Sequence, residues 1–229
     1  KSSIDIRKML IFNNDLLVTL SDCKVQIWCL LSNSLISELT TDFKIRSLIK
    51  YSEDVLVTSN NLGSLNFWNI RSLRCIMTSN NDYEYDSIWC LAKVNKSIIF
   101  GGRYSIDVWN KDGVTTIYDT EDDDFPPANI LYLGRDLLAV DKCQEIHVQN
   151  IKTKKIISRI YFDAENEITM SLIKLNNNIL ICGTDNNIYI IDYINGIKKC
   201  ILDQGQYHTL YKIDNYRFIF NSYMDAMGI

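Results

Sequence analysis

The stretch that decides the fold is residues 55–77, which reads VLVTSNNLGSLNFWNIRSLRCIM. An apolar run at 55–58 is followed by a polar turn, an alternating run at 65–68 that ends in Trp68, and a further apolar run. Alternation with a period of two residues, bounded by Asn, Ser and Gly, is typical of β-strands joined by tight turns. The stretch therefore predicts consecutive antiparallel strands.

The same pattern occurs five times along the chain. The alternating runs end at residues 28, 68, 109, 149 and 191, which are 40, 41, 40 and 42 residues apart. An apolar run precedes each of them, and a sixth such run, 218–220, has no alternating run after it. Four strands in each unit of about forty residues is the pattern of a propeller blade. We therefore predict an all-β fold, a β-propeller of four-stranded blades.

The repeat also predicts the blade boundaries, and we label the strands of each blade a to d in chain order. One propeller domain, 1–229, is predicted with about five and a half blades, at approximately 7–42, 43–81, 82–122, 123–163, 164–205 and, in part, 206–229. A β-sandwich or barrel with the same number of strands is the alternative. The half blade indicates a fragment, an incompletely represented protein, or an open propeller that a partner completes at its bare edge. Residues 2–6 could pair with the half blade as one outer strand, but they cannot supply both of its missing strands.

These segments resemble WD40 repeats, with motifs that have changed. The family's Trp stands at Trp28, Trp68 and Trp109, and its turn Asp stands at Asp22 and Asp185. No blade has the Gly-His dipeptide of the family. The resemblance therefore implies a WD40-like propeller without the Asp–His–Trp hydrogen-bond network, in which apolar packing holds the blades together.

Composition narrows the class of protein. Apolar residues make up 47% of the chain, the net charge is −4, and no apolar run approaches the length of a membrane span. The seven cysteines are scattered without a CxxC pair, which argues against a disulfide framework or a zinc site. We expect an intracellular protein, cytoplasmic or nuclear, with no metal and no cofactor.

Acidic residues concentrate in the loops between strand d of one blade and strand a of the next. These d–a loops hold 13 of the 28 acidic residues and a single basic one, Lys44. The acidic residues are Asp42, Asp82, Glu84, Asp86, Asp119, Glu121, Asp122, Asp123, Asp124, Asp163, Glu165, Glu167 and Asp203. Such a face attracts a basic segment of a partner protein and repels nucleic acid. The alternative is that these acids only keep the protein in solution.

The two longest d–a loops are the predicted binding site. Aromatic side chains stand among their acids, as at the contact points of protein interfaces. The predicted binding residues are Asp82, Tyr83, Glu84, Tyr85, Asp86, Glu121, Asp122, Asp123, Asp124 and Phe125.

No arrangement of residues predicts catalysis. The two histidines, His147 and His208, stand in strands without a nucleophile motif nearby, and the inward positions read as Val, Leu, Ile and Thr. We therefore expect a non-enzymatic interaction scaffold, a subunit of a multiprotein assembly that takes no small-molecule substrate. One alternative is a substrate receptor for ubiquitin ligation, because Trp68–Arg71 resembles the adaptor-docking box of some WD40 proteins, with Asn69 in place of the acid. A propeller enzyme is the second alternative.

Overall fold

The computed structural model describes residues 6–80, 87–119, 126–142, 144–162, 167–202 and 206–223. These residues form 22 β-strands and contain no helix. The chain divides into two compact units, Lys1–Asp123 and Asp124–Ile229.

The first unit contains three antiparallel sheets, each of four strands paired in sequence order. Their strands are β1 Lys8–Ile11, β2 Leu16–Leu20, β3 Lys24–Cys29 and β4 Ser34–Thr40; β5 Ile45–Lys50, β6 Val55–Asn60, β7 Ser64–Asn69 and β8 Arg74–Asn80; β9 Cys90–Val94, β10 Ser97–Gly101, β11 Ser105–Asn110 and β12 Gly113–Asp119.

The second unit contains two further four-stranded sheets and a two-stranded one. Their strands are β13 Ile130–Gly134, β14 Leu137–Lys142, β15 Glu145–Asn150 and β16 Ile156–Tyr161; β17 Thr169–Lys174, β18 Ile179–Thr184, β19 Ile188–Asp192 and β20 Ile197–Leu202; β21 Gln206–Lys212 and β22 Phe218–Tyr223. The five meanders are the blades of a β-propeller, and the hairpin β21–β22 supplies strands a and b of a sixth. The predicted fold class is confirmed.

Asn and Asp side chains close many of the turns. Asn13 Oδ1 accepts hydrogen bonds from the backbone N–H groups of Asp15 and Leu16, both at 2.9 Å. Asp192 Oδ1 does the same for Ile194 and Asn195, both at 3.1 Å. These side chains replace backbone acceptors in the turn, which is why the polar residues between the apolar runs are so often Asn or Asp.

The apolar core lies between successive blades. Val18 and Leu20 of the first blade form one buried cluster with Ile45, Leu48 and Leu56 of the second. Equivalent clusters join blades two and three, blades four and five, and blade five with Leu210 of the hairpin. Because strand b is covered on both faces, its residues read as a continuous apolar run in every blade.

The tryptophans occupy equivalent positions and differ in burial. Trp109 is buried, while Trp28 and Trp68 are half-buried. The indole Nε1 of Trp28 donates to Thr19 Oγ1 at 3.0 Å, and that of Trp68 donates to Thr58 Oγ1 at 2.9 Å. The expectation of blades held mainly by apolar packing is therefore incomplete, since a Trp–Thr hydrogen bond persists in two blades.

Candidate interaction surfaces

All ten predicted binding residues lie outside the described residues, so their prediction stays untested. They are Asp82, Tyr83, Glu84, Tyr85, Asp86, Glu121, Asp122, Asp123, Asp124 and Phe125. The same holds for residues 2–5 of the proposed outer strand and for the side chain of His208.

The structure describes the side chains of two other acids of the d–a loops, and these two side chains differ in burial. Asp42 is exposed, as an acidic surface requires, whereas Glu167 is completely buried. Glu167 Oε2 accepts from the Tyr189 hydroxyl at 2.9 Å, and Oε1 accepts from Asn187 Nδ2 at 2.7 Å and from the Thr184 hydroxyl. The assignment of Glu167 to the acidic surface is wrong: its carboxylate ties its loop to the b–c turn of blade five.

His147 is a buried structural residue of β15. Its Nε2 lies 2.6 Å from Oε1 of Glu145, on the same strand. Neither ring nitrogen makes a hydrogen bond to another described residue. The short approach of Nε2 to Glu145 Oε1 therefore lacks the angle that a hydrogen bond requires.

Among the described residues, β22 belongs to a sheet of only two strands, and it carries exposed apolar side chains. Within the described part of the chain, β22 pairs only with β21, through the register Tyr211↔Ile219 and Leu210↔Phe220. In each complete blade the residues aligned with Ile219 pair with a third strand and are at most 1% exposed. They are Val18, Val57, Ile99, Ala139 and Ile181. Ile219 is 54% exposed and Phe220 is 44% exposed. Residues 218–220 therefore have the composition of a buried strand, and no third strand pairs with them within the described part of the chain.

The hairpin ladder also fixes the direction in which the backbone groups of β22 point. The N–H of Ile213 donates to the carbonyl oxygen of Arg217 at 2.9 Å, which fixes the alternation of the hairpin ladder. In an antiparallel ladder successive residues direct their N–H and C=O groups to opposite sides. Phe218 and Phe220 consequently direct theirs away from β21, as strand b does toward strand c in the other blades.

A cleft of about 160 Å³ opens between the first two blades, where the a–b turns of both meet the c–d turn of the second. It is lined by Phe12, Leu16, Ile70 and the ion pair of Asp54 with Arg71, whose Oδ1 and Nε are 2.6 Å apart. The cleft adjoins Trp68–Arg71, the segment that resembles an adaptor-docking box.

The first strands of the blades in the first unit carry polar side chains that sequence patterning missed. Lys8 of β1 donates from Nζ to Ser47 Oγ of β5 at 3.0 Å. Arg46, one residue before Ser47, stacks its guanidinium over the Trp89 ring at 4.1 Å from the ring centre. The expectation of Val, Leu, Ile and Thr at inward positions stays a prediction. In the sequence these polar residues only interrupt apolar runs, and nothing in the neighbouring residues indicates that their side chains are in contact.

No protein-family profile and no curated protein matches the sequence. Among solved structures, the chain is similar to the crystal structure of the computationally designed Ika8 protein, with 16% sequence identity and a TM-score of 0.67. The match covers 91% of this chain and 65% of the designed one, so this chain spans about two-thirds of the length of that protein. At this identity the similarity concerns the fold alone. Within the described residues, a search for a helix long and apolar enough to cross a membrane finds none.

Proposed function

We propose that this chain is a WD40-like propeller that serves as a non-enzymatic protein-interaction scaffold, an intracellular subunit of a multiprotein assembly. The observation that carries the proposal is Ile219 of β22, which is 54% exposed at a position that is buried in each of the five complete blades. An exposed apolar residue on a strand that has one partner among the described residues favours pairing with another extended segment.

The contact has two parts. The edge of β22 offers main-chain hydrogen-bonding groups and apolar side chains to an extended segment. The acidic residues of the d–a loops offer a charged surface to a basic segment of a partner. Strand pairing supplies affinity through the main chain, whereas loop charges mainly raise the rate of association.

The test is a comparison of bound proteins from native extract. We expect Ile219→Asp/Phe220→Asp to lose a defined set of proteins that the unchanged chain retains at 0.5 M salt, because apolar and main-chain contacts resist screening. The matched control is Ile76→Asp, on the outermost strand of a complete blade, where Ile76 is 57% exposed. Quantitative mass spectrometry measures both sets. Equal losses from the two variants, or no loss from either, would contradict the proposal.

A second pair of variants separates the backbone of the edge from its side chains. Phe220→Ala keeps the outward N–H and removes the ring, whereas Phe220→Pro removes both and is tolerated on an edge strand. We expect Pro to weaken retention of the same proteins further than Ala. Identical retention by the two variants would show that strand pairing is not the contact.

The alternative function is a substrate receptor for ubiquitin ligation, docked through Arg71. The exposed guanidinium of Arg71 beside the cleft supports it, although Asp54 already binds Arg71. Arg71→Ala should then remove a cullin-ligase adaptor from the bound proteins and leave the set that depends on β22 intact.

A further inference from the structure

The first strand ends in a lysine in blade two, in blade five and in the hairpin. These lysines are Lys50, Lys174 and Lys212, the final residues of β5, β17 and β21. In all three turns the residue after the lysine donates its backbone N–H to the carbonyl oxygen four residues further on, at 2.9 Å. The three lysines therefore stand at equivalent positions of the blade repeat.

The equivalent lysines differ in the residue that stands three positions further along the chain. In blade two that residue is Glu53, and its Oε2 lies 3.0 Å from Nζ of Lys50. In the hairpin it is Asn215, whose neutral Oδ1 accepts a hydrogen bond from Lys212 Nζ at 3.0 Å. In blade five it is also an asparagine. A carboxylate therefore compensates the charge in blade two, whereas neither Lys174 nor Lys212 forms an ion pair within the described residues.

Lys174 lies between Lys212 and a third base, Arg135 of the a–b turn of blade four. Lys174 Nζ donates to the carbonyl oxygen of Leu133 and lies 3.8 Å from the position that a Cβ atom on Gly134 would take, so the amine reaches the start of that turn. Burial lowers the pKa of Lys174, and the charges of Lys212 and Arg135 lower it further. The three bases form one cluster at the ends of neighbouring first strands of the second unit.

The acids in or beside the a–b and c–d turns of this unit are held by other groups. They are Asp136, Asp192 and Asp214. Asp136 Oδ2 lies 2.8 Å from Nζ of Lys152, and Asp214 Oδ2 lies 2.7 Å from Nε of Arg217. The carboxylate of Asp192 accepts three hydrogen bonds within its own turn. The Tyr216 N–H and Arg217 lower the pKa of Asp214 most, and the charge of Lys212 adds to this effect. The cluster therefore keeps a net positive charge.

The donors of the cluster suit a phosphate monoester. Arg135 and Lys212 are exposed, and Lys174 is half-buried. An ammonium has three N–H donors, so each lysine keeps two after its one hydrogen bond to the protein, and a guanidinium has five. A phosphate monoester carries about 1.5 to 2 negative charges at pH 7 and three acceptor oxygens. Arginine binds such an anion through two parallel hydrogen bonds.

We propose that Arg135, Lys174 and Lys212 bind the phosphate monoester of a phosphorylated segment of a partner protein, a contact separate from the edge of β22. The partner's being a protein rests on the proposed function. A membrane surface is less suitable, because recognition of anionic lipids takes clusters of about four to eight bases. Here only three bases converge, and the neighbouring Lys152 and Arg217 are bound to acids.

The test is a titration of the purified, isotope-labelled chain, followed by the chemical shifts of its backbone amides in NMR spectra. The probe is acetyl-Gly-phosphoserine-Gly-amide, and the same peptide without phosphate is its control. We expect only the phosphorylated peptide to shift signals around the cluster, with an affinity that falls as salt is added. Binding of neither peptide, or of both equally, would overturn the proposal. So would binding to vesicles that contain a phosphatidylinositol phosphate without binding to the peptide.

Two double variants with the same change of charge separate the cluster from general attraction. Lys174→Gln/Lys212→Gln should weaken binding about tenfold, since each exposed charge contributes up to about fivefold. Lys154→Gln/Lys155→Gln, in the c–d turn of blade four, should leave the affinity within about twofold. Equal weakening by both variants would show that the net charge of the unit attracts the peptide and that the cluster is not its site.

A second comparison leaves all three bases in place. Asn215→Glu gives Lys212 the partner that Glu53 gives Lys50, and should weaken binding about fivefold. Asn215→Gln adds the same length without charge and should bind as the unchanged chain does. The melting temperature of every variant is the folding control. Equal affinities of the Glu and Gln variants would overturn the proposal. Because the titration contains no other protein, its outcome is independent of the contact proposed at β22.

Discussion

At the scale of single residues, Asp141 is a buried carboxylate that the fold tolerates at a cost. It stands near the end of β14, where Oδ1 accepts from the Asn129 N–H at 2.9 Å and Oδ2 accepts from Asn129 Nδ2 at 2.8 Å. Burial raises the pKa of Asp141 from 3.8 to about 6, and the hydrogen bonds from Asn129 offset only part of that effect. The folded protein therefore binds a proton at Asp141 at pH values where the unfolded chain does not.

The raised pKa predicts a definite pH dependence of stability. Because the folded pKa lies above the unfolded one, the contribution of Asp141 is fully present below about pH 4 and is lost as the pH rises through about 6. A shift of this size corresponds to roughly 3 kcal/mol. Asp141→Asn should therefore gain about that much relative to the unchanged protein between pH 3.5 and pH 7. Urea unfolding at both pH values measures it, and a difference independent of pH would contradict the prediction.

Trp109 packs the third blade against the second. Its ring centre lies 4.7 Å from that of Phe67 and 6.3 Å from that of Tyr51, both in the preceding blade. Trp109→Ala removes this contact and leaves a cavity, for which we expect a loss of about 3–5 kcal/mol in the free energy of unfolding. Trp28→Ala, at a half-buried position, should cost less. Equal costs in chemical denaturation would show that burial does not control the effect.

At the scale of elements, the Glu167 carboxylate holds together one end of blade five. It accepts hydrogen bonds from Thr184 at the end of β18, from Asn187 in the b–c turn and from Tyr189 of β19. Because the three donors share one buried carboxylate, and Asn187 Nδ2 also donates to the Tyr189 hydroxyl at 3.0 Å, we expect these residues to stabilise the fold as a coupled network.

A double-mutant cycle tests that unit. Tyr189→Phe should cost about 1–2 kcal/mol and Glu167→Ala about 3 kcal/mol or more, since the alanine removes a buried acceptor of three hydrogen bonds. The double variant should cost clearly less than the sum of the two. Asp42→Ala, in an exposed loop, is the control and should change little. Strict additivity in thermal or urea unfolding would show that Glu167 and Tyr189 act independently.

Blades one, two and four share a register shift at the tryptophan position, whereas in blades three and five the shift lies earlier in strand c, between Ile106 and Asp107 and between Ile188 and Tyr189. The pairing of strands c and d shifts register between Ile27 and Trp28, between Phe67 and Trp68, and between Val148 and Gln149. Gln149 thus occupies the tryptophan position of blade four. Spacing along the chain predicted this equivalence, and the position of the β-bulge agrees with it.

At the scale of the whole molecule, the net charge is only −4, but 13 of the 28 acidic residues lie in the predicted d–a loops. We propose that the acidic d–a loops steer a basic segment of a partner, an effect that salt reduces because the Debye length is about 8 Å at physiological ionic strength. Asp122→Lys/Asp123→Lys/Asp124→Lys should then slow the association of retained partners and flatten its salt dependence.

Charge reversal elsewhere is the control for this prediction. Lys152→Glu/Lys154→Glu/Lys155→Glu changes the charge of a c–d turn by a similar amount and should leave association unchanged. Surface plasmon resonance at several salt concentrations measures both rates. If the lysine variant loses binding while the aspartate variant retains it, the acidic loops act only in solubility.

The strand pattern and the blade repeat could be predicted from the sequence because their causes are local. Every forty residues the sequence repeats an alternation with a period of two, Asn-rich turns and an apolar strand b. Each blade therefore buries both faces of its sheet in the same way. The hairpin β21–β22 followed from the same repeat, because the apolar run 218–220 matches strand b of the complete blades.

Only the tertiary structure decided which polar side chains meet. Glu167 and Tyr189 are 22 residues apart, and Lys8 and Ser47 are 39 apart. Each pair arises from strand register or from the contact of one blade with the next. The sequence shows that a position faces inward but does not show what stands opposite it. That information depends on blade packing, which buried Glu167 against the tyrosine hydroxyl and placed Ser47 beside the amine of Lys8.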